Sequence, residues 1–180
     1  MRTQRRRRKE SKTDYKLRLK LLKSGKERIV IRKTNKYIII QSIKSIESKD
    51  SVVMGVTSKE LLNHGWDKKF EGSLKSLPAA YLTGLLFAKM AGKNHYIVDL
   101  GMVRTIAGNR IFAAVKGLID GGVKINANEE VFPSEDRLNG EHLKDEVKTV
   151  IQKVKTNLSG AVLEKKATSE KKTKKVKEKK

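Results

Sequence analysis

The chain has 180 residues, 37% of them apolar, and 42 lysines and arginines against 20 acids give it a net charge of +22. That is enough chain for one compact domain with a core, not two, and the absence of cysteine excludes disulfides, thiolate metal sites and a thiol nucleophile while suiting a reducing cytosol. His64, His95 and His142 show no metal-ligand spacing; the basic N-terminus has no apolar stretch behind it, and Leu77 to Met90 is too short to span a bilayer, so a soluble cytoplasmic chain is expected.

The charge is unevenly placed. Residues 1 to 36 hold 16 basic residues against 3 acids, residues 37 to 151 hold 15 against 14, and residues 152 to 180 hold 11 against 3. Two cationic ends flank a nearly neutral body, an arrangement suited to a polyanion rather than to a small acidic substrate. Phosphate backbone is the obvious polyanion, because each neutralised phosphate releases condensed counterions. The division predicts a basic arm with a first helix over residues 1–26, a globular domain over 27–154, and a lysine-rich, disordered tail over 155–180.

Arg5, Arg6, Arg7 and Arg8 repel one another, so the arm is expected to order only on an anion. A helix is predicted from Asp14 to Ser24, with capping oxygens at Ser11 and Thr13 and a stop at Gly25. On it Tyr15, Leu19 and Leu22 would face the domain and Lys16, Lys20 and Lys23 the phosphates. Strands at Ile29 to Arg32 and Tyr37 to Ile46 flank a basic turn, Lys33, Thr34, Asn35 and Lys36, and a third strand at Val52 to Val56 completes an antiparallel meander.

A short helix from Ser58 to His64 follows, with Trp66 as a packing anchor. Next comes a long apolar helix, capped by Ser76 and reaching Ala91, that must be deeply buried. A strand at His95 to Leu100, a glycine-containing loop, a helix from Arg110 to Asp120 with Phe112, Val115 and Ile119 inward, and a short strand at Val123 to Ile125 come after it. A helical turn near Ser134 to Leu138 and a helix from Glu141 to Val154, striped by Leu143, Val147 and Val150, close the domain. The order of elements predicts an α/β fold: a mixed sheet, built from the meander plus βα units, with helices packed on it and basic disordered extensions at both ends.

Catalytic chemistry finds little support. Asp99, at the end of a strand, is the one tempting acid for a metal-dependent nuclease, but its possible companions lie at helix ends and in loops, where acids are ordinarily solvated. Asp99 is better read as capping or pairing near Arg104 or Arg110. Gly101, Gly108 and the helix start near Asn109 could present amides to a phosphate, yet they match neither nucleotide-binding fingerprint. With 5% aromatic residues there is no stacking platform for single strands, leaving charge and shape, the mode suited to folded RNA. Membrane attachment would need apolar anchors beside the charges, and neither end supplies them.

Several stretches together resemble the archaeal and eukaryotic branch of universal ribosomal protein family eighteen of the large subunit. They are Arg5 to Arg8 before Thr13-Asp14-Tyr15, the run Arg18 to Lys26, Thr34-Asn35-Lys36, Gly65-Trp66, Leu77 to Gly84, Gly108 to Ala114, and Gly140-Glu141-His142. They cover roughly residues 5 to 150 and are specific in combination. The resemblance implies a non-enzymatic protein of the central protuberance that binds 5S ribosomal RNA, helps attach it to the large-subunit RNA, and touches neighbouring ribosomal proteins, with no cofactor, small-molecule substrate or membrane. Carried over residue by residue, RNA contacts fall on the arm (Arg5 to Arg8, with Lys9 and Lys12), on the first helix (Tyr15, Lys16, Arg18), on the Lys33 to Lys36 turn, and on Arg104, Asn109 and Arg110. Thr34 stands where a serine is expected, keeping the hydroxyl, and the tail after Val154 exceeds the shared pattern.

Overall fold

The computed structural model describes residues 3–47, 49–92 and 95–158. The lysine-rich segment from 159 onward, most of the expected tail, lies outside the described residues. Two helices come first, α1 (Arg6–Lys9) and α2 (Tyr15–Lys23), and then three strands, β1 (Arg28–Lys33), β2 (Ile38–Ile46) and β3 (Lys49–Thr57). Helix α3 (Leu77–Ala91), strand β4 (Ile97–Asp99), and helices α4 (Arg110–Asp120) and α5 (Glu135–Asn139) follow, and residues 145–158 form a last helix. The sheet order is β3-β2-β1-β4, antiparallel except for the parallel pair β1 and β4, whose crossover carries α3. This is the expected mixed α/β architecture.

Strand alternation gives the sheet two unlike faces. Ile29 and Ile31 of β1, Ile38 and Ile40 of β2 and Val56 of β3 are all at 0–1% exposure and form the inner face, in register through the pairs Ile31↔Ile40 and Ile40↔Val56. The opposite face carries Arg28, Val30 and Arg32, spaced by two along the same strand. Helix α3 covers the inner face; it starts where the Ser76 side chain accepts from the Ala79 amide, and Pro78 sits in its first turn, where the missing N–H costs nothing. Trp66 is buried and its indole N–H donates to the Phe70 carbonyl, the anchor role expected of it.

Helices α3 and α4 approach so closely that glycine is required at their crossing. A Cβ on Gly84 would collide with the Ala114 carbonyl oxygen, and one on Gly117 with the Tyr81 carbonyl oxygen. Backbones in contact leave no room for even a methyl group.

Local details depart from the sequence reading. The inward stripe of α4 is Ile111, Ala114, Val115 and Leu118, with Phe112 and Ile119 only half-buried. The segment Ser58–His64 is a 3-10 helix opened by a Thr57–Glu60 capping box and closed by Gly65. Val123 to Ile125 forms no strand but a single bridge, Lys124 to His95, because Val123 itself is pulled into the helix end by its bond to the Leu118 carbonyl. The last helix begins at 145 rather than at Glu141, since Gly140 turns left-handed (φ 76°) and 141–144 make a separate turn. Its buried stripe runs through Val150, Ile151 and Val154 to Leu158.

Gly117→Ala is expected to destabilise the domain by about 1–3 kcal/mol through overpacking. Gly72→Ala, where a Cβ meets nothing within 4 Å, should be nearly neutral. Denaturant unfolding of the two variants in parallel checks both values.

Candidate nucleic-acid interface

The N-terminal arm is held by few contacts. Helix α1 is a single turn of Arg6, Arg7, Arg8 and Lys9 with no buried residue. It folds back on the start of α2: the Arg7 Nε donates to the Thr13 hydroxyl at 2.9 Å, and the Arg5 guanidinium lies 4.9 Å from the centre of the Tyr15 ring. Lys12 pairs with Glu10 at 2.8 Å, an exposed contact worth little in water. Asp14 is the residue that caps α2, accepting from the amides of Lys16 and Leu17, so Thr13 is left for the arm and Ser11 turns away at a positive φ of 52°.

Of the stripe expected to face the domain, Tyr15 and Leu22 are half-buried and Leu19 is not. Leu17 and Leu21, with Arg18 between them, line a cleft against the sheet, while Leu19 is more than half exposed. Arg18 donates to Asp50 at 2.8 Å and so ties the helix to the start of β3.

Behind it lies an alternating chain of charge across the second face of the sheet. Arg28, 2% exposed, donates to Asp50 at 2.9 Å, to the Ser45 hydroxyl at 2.9 Å and to Asp99 at 3.3 Å. Asp99 in turn accepts from Arg32 at 3.0 Å, and its carbonyl oxygen accepts a second bond from Arg32 at 2.7 Å. Asp99 is thus engaged by Arg28 and Arg32 and not by Arg104 or Arg110, because the parallel pairing Val30↔Asp99 puts it on the same face as both β1 arginines. Burial works to raise the Asp50 carboxyl, but hydrogen bonds from Ser45 and Arg18 and the charges of Arg18 and Arg28 outweigh it and hold the group below its usual 3.8.

The predicted contact residues fall around two clefts, with Asn109 and Arg110 at the start of α4 lining neither. Arg7, Lys12 and Arg18 share one cleft of about 140 Å³ with Arg32, which was not predicted, and with Gly101 and Met102 from the loop after β4. Tyr15 and Lys16 sit on the first turn of α2 beside it, and Arg104 extends from the same loop, exposed. Asn109 is the cap of α4, its side chain accepting from the Arg110 amide at 2.6 Å, with Arg110 half-buried in the first turn. The Lys33 to Lys36 turn stands apart and opens on a second cleft with Lys75. Its shape is set by Thr34, whose hydroxyl accepts from the Tyr37 amide at 2.9 Å and donates to the Tyr37 carbonyl at 2.8 Å, which leaves Asn35 and Lys36 exposed at the tip. Sequence reading missed Arg28, Arg32 and Asp50. The available signal was the pair of arginines four apart within an apolar strand, both on the Val30 face.

A rigid, neutral body whose interior arginines are paired and whose rim arginines and lysines face water defines a polyanion-binding protein. The chain matches the family described as "Ribosomal large subunit proteins 60S L5, and 50S L18" over residues 1–97 and 90–128. It is 48% identical over 141 residues to the large ribosomal subunit protein uL18 of Korarchaeum cryptofilum, covering 77% of this chain and 70% of that protein. It is 45% identical over 141 residues to the uL18 proteins of Methanoregula boonei and Methanocorpusculum labreanum, in each case over 77% of this chain and 79% of the relative. The chain belongs to this family of large-subunit ribosomal proteins, and so is a structural, non-enzymatic constituent of the ribosome in the cytoplasm. Among the described residues no helix is long and apolar enough to cross a membrane.

Two measurements probe the charge chain. Asp99→Ala leaves Arg28 with one carboxylate in place of two and should destabilise the domain by about 3 kcal/mol, the lower end for a broken buried pair, as read by denaturant unfolding at neutral pH. The lowered Asp50 group contributes stability that is fully present above 3.8 and is lost as pH falls below it, through the still lower folded-state value. Asp50→Asn should therefore be less stable at pH 7 and lack that part of the acid-induced loss, which unfolding curves taken from pH 7 downward would reveal.

Proposed function

We propose that the chain holds 5S ribosomal RNA through its arginine arm and the cleft beneath it, and helps attach that RNA to the large-subunit RNA in the central protuberance, with neighbouring ribosomal proteins packed on its remaining surface. One observation carries this reading. Arg5 to Arg8 are exposed, with Arg5 over the Tyr15 ring and Arg7 bonded to Thr13 beside the Arg18–Arg32 cleft, so weakly held cations are presented beside ion-paired ones. Fixed donors set register on the RNA, and the arm adds affinity by releasing counterions.

The nuclease reading loses its residue. Asp99 is committed to Arg28, Arg32 and the Gly101 amide, and a carboxylate so engaged has little capacity left for a divalent ion.

Replacing Arg5 to Arg8 together by alanine should reduce the slope of log affinity for 5S RNA against log salt by about three units, from four lost phosphate contacts. The preference for 5S RNA over an unrelated structured RNA of equal length should shrink with it. Filter binding over a salt series decides: an unchanged preference in the variant would show that the arm does not select the RNA.

A further inference from the structure

Gly101 lines the arm cleft, in the loop whose glycines could, by sequence, offer amides to a phosphate. Its amide is already taken, donating to the Asp99 carboxylate at 2.8 Å. What this glycine supplies is space. Its backbone is left-handed (φ 67°), and a Cβ on it would lie 2.9 Å from Arg32 Cζ, 3.1 Å from Nη2 and 3.2 Å from Nη1. The Arg32 guanidinium therefore occupies the volume that a side chain at position 101 would fill.

The same guanidinium is fixed by its hydrogen bonds. Nη1 donates to the Ile31 carbonyl at 2.9 Å and to the Asp99 carbonyl at 2.7 Å, and Nη2 donates to the Asp99 carboxylate at 3.0 Å. Asp99 is itself locked, by the Gly101 amide and by the buried Arg28. Among the described residues this leaves the Nε–H and one hydrogen of Nη2 undonated, on a side chain 40% exposed at the cleft. Arg18, in the same cleft, makes a single such bond, to Asp50.

A planar guanidinium that cannot turn offers its remaining donors in one direction. It engages a phosphate that arrives at that place and no other, whereas a side chain free to swing accepts phosphates over a range of positions. Asp99 has the opposite effect on attraction in general. A carboxylate within hydrogen-bonding distance of a cation in the cleft repels any polyanion that enters, whatever its shape.

We propose that Gly101 and Asp99 are positioning residues that determine RNA selectivity: acting through Arg32, they favour an RNA whose phosphate meets one fixed guanidinium and weaken general attraction to RNA. The proposal rests on the RNA-binding reading above and goes beyond it by assigning selectivity to a glycine and an acid.

The test uses the full chain with Gly101→Ala, with Asp99→Asn, with Arg32→Gln, and with each of the first two combined with Arg32→Gln, beside the unaltered chain. Affinities for 5S ribosomal RNA and for an unrelated structured RNA of equal length are measured at one salt concentration, below the melting onset of every variant. Asp99→Asn also touches buried Arg28 and should melt earlier. In Gly101→Ala the added methyl meets the far end of a flexible side chain, so apart from the strain of a left-handed alanine the fold is spared.

The expected result is a 5S preference lowered about tenfold in each of Gly101→Ala and Asp99→Asn, the size of one lost charge-assisted contact. Affinity for the unrelated RNA should hold or, in Asp99→Asn, rise. With Arg32→Gln already present, neither change should lower the preference further. A preference unchanged by Gly101→Ala, or lowered equally with and without Arg32, overturns the proposal, the second result marking a role in the fold alone. An unaltered chain that binds both RNAs alike overturns the RNA-binding reading together with the proposal, so the two failures are told apart.

Discussion

The guanidinium of Arg28 is withdrawn from water inside the sheet's second face, and much of the arrangement around it answers to that fact. A buried cation is tolerable only with carboxylates in contact and its donors satisfied. Asp50 is supplied by the start of β3 and Asp99 by the end of β4, so the pairing ties the meander to the crossover strand. Each of those carboxylates also holds a second arginine: Asp50 anchors Arg18 and with it α2, and Asp99 anchors Arg32 beside the loop that begins at Gly101. The elements that frame the arm cleft are thus joined through one alternating row of charges.

That row separates two uses of arginine in the same protein. Arg28 is structural, satisfied on both sides and inaccessible. Arg18 and Arg32 are bound by one acid each and remain partly exposed, so their positions are fixed while part of each guanidinium faces the cleft. The arm arginines are exposed and weakly held, and a polyanion can recruit them at small cost. Going outward from the sheet, the arginines have fewer partners and more exposure.

The helical side supplies the stiffness. The glycine-mediated contact of α3 with α4, and the buried row Val150, Ile151, Val154 and Leu158 of the last helix, complete a core that leaves the inner sheet face dry. Against that core the hairpin tip is braced by Tyr37, and Thr34 shapes the turn with its hydroxyl, so that Asn35 and Lys36 stand out. A serine would serve that bond as well as threonine does.

Much was legible in the chain alone. The period-2 and period-3.6 patterns located the first three strands, α3 and α4; the capping oxygen of Ser76 marked a helix start; and the charge count separated a cationic arm from a neutral body, because local propensity, capping and net charge are properties of neighbouring residues. What sequence could not decide was which distant residues share a face. Asp99 was drawn toward the nearest arginines along the chain, yet the parallel register of β4 on β1 delivers it to Arg28 and Arg32, some seventy residues away. The loss of the strand at Val123 and the meeting of Lys36 with Lys75 have the same origin. Pairing register and helix rotation are chosen by contacts between segments, and only the folded chain, with its buried charges matched, fixes them.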